Sequence, residues 1–342
     1  IKESIKNPLE NYIIVVPEQY TMATQKRVVE LHPRKGVLNI DVVSFERLAY
    51  KVFEEVGAAD YPVLDDTGKN LIVRRVLEQN KKALRFFGSN ISNTGFVSEL
   101  KSVISEMLQY DISVDKLLDI NKNVDNNSLL GMKLDDISLI YGGFREFIKN
   151  HYITSEEILD LMCRKVTESS KIRGSVIAFD GFTGFTPVQY RLMAILLDMC
   201  KEVKVALTID ISEHVNINEG IESLFYMTKD TVAHLNRICD EGHINVDKVT
   251  FGEDTVLTRF AASKELAFLE KNIFRPGLRY YSGKVNDIVM YAGITPKDEI
   301  QYVSGEILKL TRLQGFRYNE IAVVTGDISV YGKLAANIFA QN

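Results

Sequence analysis

Over the first 57 residues the chain switches between two hydrophobic periods. Residues 12–16 (YIIVV) form a short unbroken apolar run ending at Pro17, the pattern of a strand buried on both faces of a parallel sheet. Residues 21–31 read as a helix, and 37–43 are a second β-rich run. Ser44 is placed to cap a helix over 45–56 that stops at Gly57. Strand, helix, strand, helix is the grammar of an α/β sheet covered by helices.

From about residue 61 to 173 helical spacing takes over. Residues 91–110 set Phe96, Val97, Leu100, Val103, Ile104, Met107 and Leu108 on one face, at intervals of three and four. Residues 71–77, 129–149 and 155–168 repeat the pattern, and the polar stretch 121–128 reads as a surface loop. Strands return at 175–179 and 203–209 with a helix at 187–200 between them, and a long helix spans 221–239. A polar, glycine-punctuated linker, 275–284, precedes a strand at 287–291, a helix at 297–314, a strand at 321–325 and a helix at 329–340. Two strands alone make a marginal sheet. The predicted division is therefore 1–60 and 174–280 for one α/β domain, 61–173 for a helical insertion, and 285–342 for the beginning of a second, truncated domain.

Composition narrows this picture without naming a function. At 342 residues the chain exceeds one ordinary core, and 46% hydrophobic with 25% charged residues is a soluble globular balance. No apolar run approaches the roughly 18 residues of a membrane span, and the charged start is unlike a secretory signal. The first residue is Ile rather than Met, which predicts a piece of a longer chain. Cys163, Cys200 and Cys239 are odd in number and lack CxxC spacing, so they read as ordinary thiols in a reducing cytoplasm. The five histidines show no zinc-binding spacing. A formal charge of −5 argues against a wholly basic nucleic-acid binder but leaves a local groove open.

The most specific string is DGFTGFTPVQ at 180–189. A strand delivers Asp180 at its carboxyl edge, where open α/β sheets bind ligands. Taken alone, the string is equally a loop of turn-forming glycines. It resembles motif II of the UvrD-like helicases, DEFQDTNPVQ: Asp180, Phe182, Pro187, Val188 and Gln189 agree, whereas Gly181 and Gly184 replace the Glu and the second Asp. In such NTPases the Asp holds Mg²⁺ and the next carboxylate orients the attacking water. Glycine can do neither, so hydrolysis is expected to be lost.

VPEQYT (16–21) follows the first strand and SFERLAY (44–50) the second. With the helical insertion and DGFTGFTPxQ, this order resembles the N-terminal region of the AddB (RexB) family, the second subunit of AddAB helicase–nucleases. Residues 208–231 resemble that family's counterpart of motif III, and 298–327 the opening of its second motor domain. The resemblance implies a RecA-like (P-loop NTPase, UvrD-like) parallel sheet with a large helical insertion and the start of a second RecA-like domain. It implies a heterodimer with an AddA-type motor and nuclease subunit, acting on single-stranded and duplex DNA in double-strand break repair and scanning for a Chi-like hotspot. Gln19, Thr21, Phe45, Arg47 and Tyr50, with Phe182 and Phe185 from the neighbouring loop, would line the DNA groove. Aromatic faces stack on bases, and Arg and Gln meet phosphates and base edges. Against this, loop aromatics are commonly core rings, whereas Gln19 and Arg47 do not belong unpaired in a core.

ATP, Mg²⁺ and an iron–sulfur cluster are implied only for segments outside this chain, which would then have no catalytic activity by itself. No GxxxxGK[ST] occurs here; TGKN (67–70) and SGKV (282–285) lack the upstream Gly and the following Ser or Thr. The cysteines do not match the cluster spacing. Two alternatives stand beside this reading: a protein–protein scaffold for the motor subunit without DNA binding, and an active ATP-dependent helicase, which needs groups that the chain lacks. Glu202-Val203-Lys204 imitates a nuclease ExK but reads as edge charges on a strand. Asp65-Asp66, Asp135-Asp136 and Glu156-Glu157 read as acids at helix starts. Arg74, Arg75, Lys81, Lys82 and Arg85 read as a solvated helix face or a duplex-phosphate contact.

Overall fold

The computed structural model describes every residue except 37, 58–61, 92, 126, 150, 211–212, 216–219, 251–259, 276 and 342. The first helix, α1 (Lys2–Lys6), leads into β1 (Tyr12–Val15), α2 (Thr21–Leu31), β2 (Ile40–Val43) and α3 (Phe45–Val56). Ser44 caps α3 by accepting the Arg47 N–H at 3.3 Å, and Gly57 ends it in the left-handed conformation, φ 72°. The expected strand at 37–43 begins at Ile40; Val37 lies outside the described residues.

The helical stretch starts with a two-residue strand, β3 (Val63–Leu64), and runs through α4 (Asp66–Asn80), α5 (Thr94–Gln109), α6 (Val114–Lys122) and α7 (Leu129–Ile148). It closes with β4 (Ile153–Thr154), parallel to β3, and α8 (Ile158–Lys165). Leu64, Val73, Val76, Leu77, Leu100, Ile104, Ile140 and Phe144 form its own core. A Cβ at Gly143 would stand 2.7 Å from Val76 Cγ1, so α4 and α7 approach as closely as only glycine permits. The expected loop 121–128 is shorter than predicted, because α6 extends to Lys122.

The chain then returns to the sheet with β5 (Val176–Phe179), α9 (Pro187–Met199), β6 (Glu202–Val205) and α10 (Tyr226–Glu241). The sheet is parallel, in the order β2-β1-β5-β6. Side chains alternate across it with period two. Ile13, Val15, Val43, Ile177 and Phe179 pack into one core with α3, α8 and α9, while Tyr12, Ile40 and Val176 pack on the other face with Ile1 and with Val28 of α2. Arg191 of α9 binds Asp160 of α8 and lies 3.3 Å from Asp111, in the turn after α5. It ties the sheet layer to the helical stretch.

Polar groups in this unit are consumed by architecture. Lys69 of TGKN is 2% exposed, 2.8 Å from Glu156 and 3.3 Å from Asp66, with Ser155 Oγ at 3.2 Å. Asp65 caps α4 and Glu157 closes a capping box with Thr154, as acids at helix starts do. Asp135 and Asp136 depart from that expectation by lying inside α7. Asp136 is buried and accepts the N–H groups of Arg85, Phe86 and Phe87, each at 2.8 Å. Within the basic cluster Arg74 pairs with Glu78, Arg85 with Asp135, and Arg75 lies over the Phe147 ring. Glu202 and Lys204 pair with each other at 3.2 Å on β6. Cys163 and Cys239 are buried and Cys200 half-buried, all free thiols.

Two compact units divide the chain, Ile1–Thr250 and Phe251–Asn342. The second contains α11 (Lys264–Asn272), α12 (Pro296–Leu313) and α13 (Ile328–Gln341). Thr295 and Asp298 form a capping box with Pro296 at the first turn of α12, and Tyr331 donates to Glu299 at 2.6 Å. The expected strands 287–291 and 321–325 do not form. Both runs are largely exposed, and neither pairs with a strand among the described residues.

Lys69→Ala strands Glu156, whose carboxyl burial would raise and the Lys69 hydrogen bond lowers below its usual range. It is expected to cost about 3–5 kcal/mol in urea unfolding, the usual penalty for halving a buried pair. Glu55 supplies a pH test. Burial raises its pKa, but hydrogen bonds from the hydroxyls of Ser169 and Ser170 and the N–H groups of Ser170 and Lys171 outweigh this and bring it to about 2. A depressed carboxylate stabilises above its unfolded pKa and loses that contribution as pH falls through the folded value. Glu55→Gln should therefore be less stable than wild type by about 1 kcal/mol at neutral pH, with the gap closing between about pH 4.5 and 2.

Candidate functional site

Strand order reverses between β1 and β5. The chain leaves β1 toward β2 on one side and leaves β5 toward β6 on the other. Ligand crevices in open α/β sheets form at such a switch point, beyond the carboxyl ends of the strands. Here that position is bounded by residues 16–20 after β1, the first turn of α3 after β2, and residues 180–186 after β5. The Asp180 N–H donates to the Val15 carbonyl at 3.0 Å and the Val16 N–H to the Val43 carbonyl at 2.9 Å, extending the ladder to the rim of the crevice. A Cβ added at Gly181, φ 79°, would lie 3.4 Å from Pro17 Cδ and 3.6 Å from Tyr20 Cδ2. The two loops touch at a point where backbone conformation favours glycine. At Gly184 the neighbours are Met227 and Thr231 of α10.

The expected site residues take three kinds of position. Gln19, Arg47 and Tyr50 are exposed, as is Asp180. Phe182 and Phe185 are half-buried, with rings 5.1 Å apart and packed against the sheet core. Phe45 and Thr21 are buried. The Phe45 ring stacks on Phe179 at 5.5 Å and meets Phe182 edge-on at 5.3 Å, so it is a core ring that supports the loop aromatics from below. The Thr21 hydroxyl donates to the Glu18 carbonyl at 2.9 Å, which shapes the start of α2. Gln189 also works locally: its side-chain oxygen accepts the Thr186 N–H at 2.8 Å in the capping box of α9. From Phe185 the rings continue through Tyr190 to His234, which stacks on Tyr190 at 4.9 Å.

One ion pair spans the two loops after β1 and β2. Arg47 Nη2 lies 2.8 Å from Glu18 Oε1, both side chains being more than half exposed. The Ser44 hydroxyl, foremost, and the Arg47 charge hold the Glu18 carboxyl below its usual range. Burial, helped by the Glu46 charge, raises the Tyr50 hydroxyl. Glu18 and Tyr20 are residues at this position that the sequence did not single out, although VPEQYT contains both, and Ser44 of SFERLAY was read only as a helix cap. Among the described residues no group of three or more His, Cys, Asp or Glu side chains is arranged to hold a metal, and no helix is long and apolar enough to cross a membrane.

Known proteins agree with these loops in one direction. A family model described as "ADDB, N-terminal" matches residues 1–270. The chain is 40% identical over 337 residues to an ATP-dependent helicase/deoxyribonuclease subunit from Lachnoclostridium phytofermentans, covering 98% of this chain and 29% of that protein. It is 34% identical over 348 residues to the protein of the same name from Caldanaerobacter subterraneus subsp. tengcongensis, covering 99% and 29%. A third, from Clostridium novyi, is 32% identical over 329 residues, covering 96% and 29%. The chain thus spans 29% of the length of these relatives. With most of its length matched by the family model, the chain belongs to the AddB N-terminal family.

Proposed function

We propose that this chain is the part of a helicase/deoxyribonuclease complex that holds single-stranded DNA, on a RecA-like fold that does not hydrolyse ATP. The single observation that carries the reading is the composition of the switch-point crevice. Exposed Arg47 pairs there with Glu18, on the loop that also carries exposed Gln19, while the half-buried rings of Phe182 and Phe185 pack on Phe45 at the start of the helix that carries Arg47 and Tyr50. Base stacking on such rings is worth about 1–3 kcal/mol per base, and a guanidinium matches a phosphate in two hydrogen bonds. Phe45 and Thr21 serve from beneath, as supports for the contact loops. The relatives are named as one subunit of a helicase/deoxyribonuclease. That name suggests an AddA-type motor partner in a cytoplasmic complex that processes double-strand breaks and scans the strand for a Chi-like hotspot.

Loss of hydrolysis is supported by the same crevice. Gly181 stands where a helicase of this type carries its catalytic Glu, and its positive φ disfavours a side chain there. The lysine of TGKN serves the buried pair with Glu156 instead of a phosphate. A scaffold reading has one observation of its own: Leu118 and Ile120 of α6 and Leu129 and Leu130 of α7 are exposed apolar residues on the helical stretch.

Two measurements test the proposal. Gln19→Ala with Arg47→Ala should weaken binding of a labelled oligothymidylate by about tenfold. Unfolding should be unchanged, since both side chains are exposed. Unaltered binding by the double variant would remove the groove; no binding by wild type, together with tight capture of a motor partner, would favour the scaffold. Gly181→Glu should lower stability by about 1–3 kcal/mol through backbone strain and still show no DNA-stimulated ATP turnover.

A further inference from the structure

Arg47 stands at the mouth of the crevice, yet its guanidinium is already occupied. Nη2 is 2.8 Å from Glu18 Oε1, and Glu18 belongs to the loop after β1 that forms the opposite lip. Both groups are more than half exposed, so the pair is screened and exchanges partners at little cost. Carboxylate and phosphate offer a guanidinium the same forked geometry.

We propose that Glu18 is a built-in competitor for the phosphodiester backbone at Arg47, so that a strand is gripped there only by displacing a carboxylate of the chain itself. The proposal rests on the reading of the crevice as a DNA groove and names its regulation. Replacing one anion by another at Arg47 is close to balanced, so the contact is made and broken easily. That suits a groove through which a strand passes. It also leaves a signature in salt dependence. A guanidinium meeting a single strand releases about 0.7 of a counterion; here the displaced carboxylate attracts a cation in turn and offsets that release.

The test is fluorescence anisotropy with a labelled oligothymidylate of roughly 20 nucleotides, longer than one binding site, over a salt series. Wild type, Glu18→Gln, Arg47→Ala and the double variant are compared, with thermal unfolding confirming that each is folded. Glu18→Gln is expected to bind about two- to fivefold tighter at low salt, with a slope steeper by up to about 0.7. The double variant should behave as Arg47→Ala alone. If Glu18→Gln binds no tighter while Arg47→Ala weakens binding, the groove stands and the competitor falls: Glu18 then merely orients Arg47. A gain that persists in the double variant overturns the proposal as well, since it shows general repulsion. If Arg47→Ala changes nothing, the groove reading fails and takes the competitor with it.

Discussion

The pairing of β1 with β5 is the constraint on which the first unit depends. These strands are adjacent in space, with Tyr12 opposite Val176 and Val15 opposite Phe179, although the whole helical stretch lies between them in sequence. Closing so long a loop is entropically slow to accomplish but adds little further cost per added residue. The cost is offset by burial on both faces: Ile13, Val15, Ile177 and Phe179 enter the larger core, and Tyr12 and Val176 pack on the other side. Because this pairing is parallel and in register, the loops after the two strands emerge side by side, at the reversal of strand order where sheets of this kind bind ligands.

The helical stretch answers to a different logic. It builds a separate core from α4, α5, α6 and α7 and fixes it with buried polar groups. Asp136 anchors three successive backbone N–H groups, and Lys69 gathers carboxylates and hydroxyls around a buried ammonium. Such groups add specificity more than raw stability, since each is satisfied in one arrangement of neighbours. A sequence string that imitates a phosphate loop is thus spent on architecture.

What the sequence made legible follows from range. The run YIIVV, the Ser44 cap and the Gly57 stop are local signals, and α2 and α3 lie where those signals place them. Sheet order is non-local, and nothing in the strand at 176–179 states that it pairs with β1. The two-residue ladder of β3 and β4 is too short to leave a period, and α1, α6 and α11 are short helices in polar surroundings. In the second unit the β-rich composition of 287–291 and 321–325 is real, but composition cannot supply the neighbour that a strand needs. At the crevice, Gln19 and Arg47 could be read as surface groups because polarity forbids them a core. Phe45 could not be told from a stacking ring, since a core aromatic and a contact aromatic look alike in a string. Glu18 escaped notice because its importance comes from facing a residue on another element.

Arg191 gives the crevice a mechanical connection. Thr186 and Gln189 lock the start of α9 to the loop that ends the crevice, and barely a turn later Arg191 grips Asp160 and Asp111. A helix transmits axial displacement with little loss because its hydrogen bonds act in series along the axis. Residues 180–186 and the turn between α5 and α6 are therefore joined by a short path that ends in exposed ion pairs. A displacement of residues 180–186 would be felt in the helical stretch at one exposed arginine, well away from where it began.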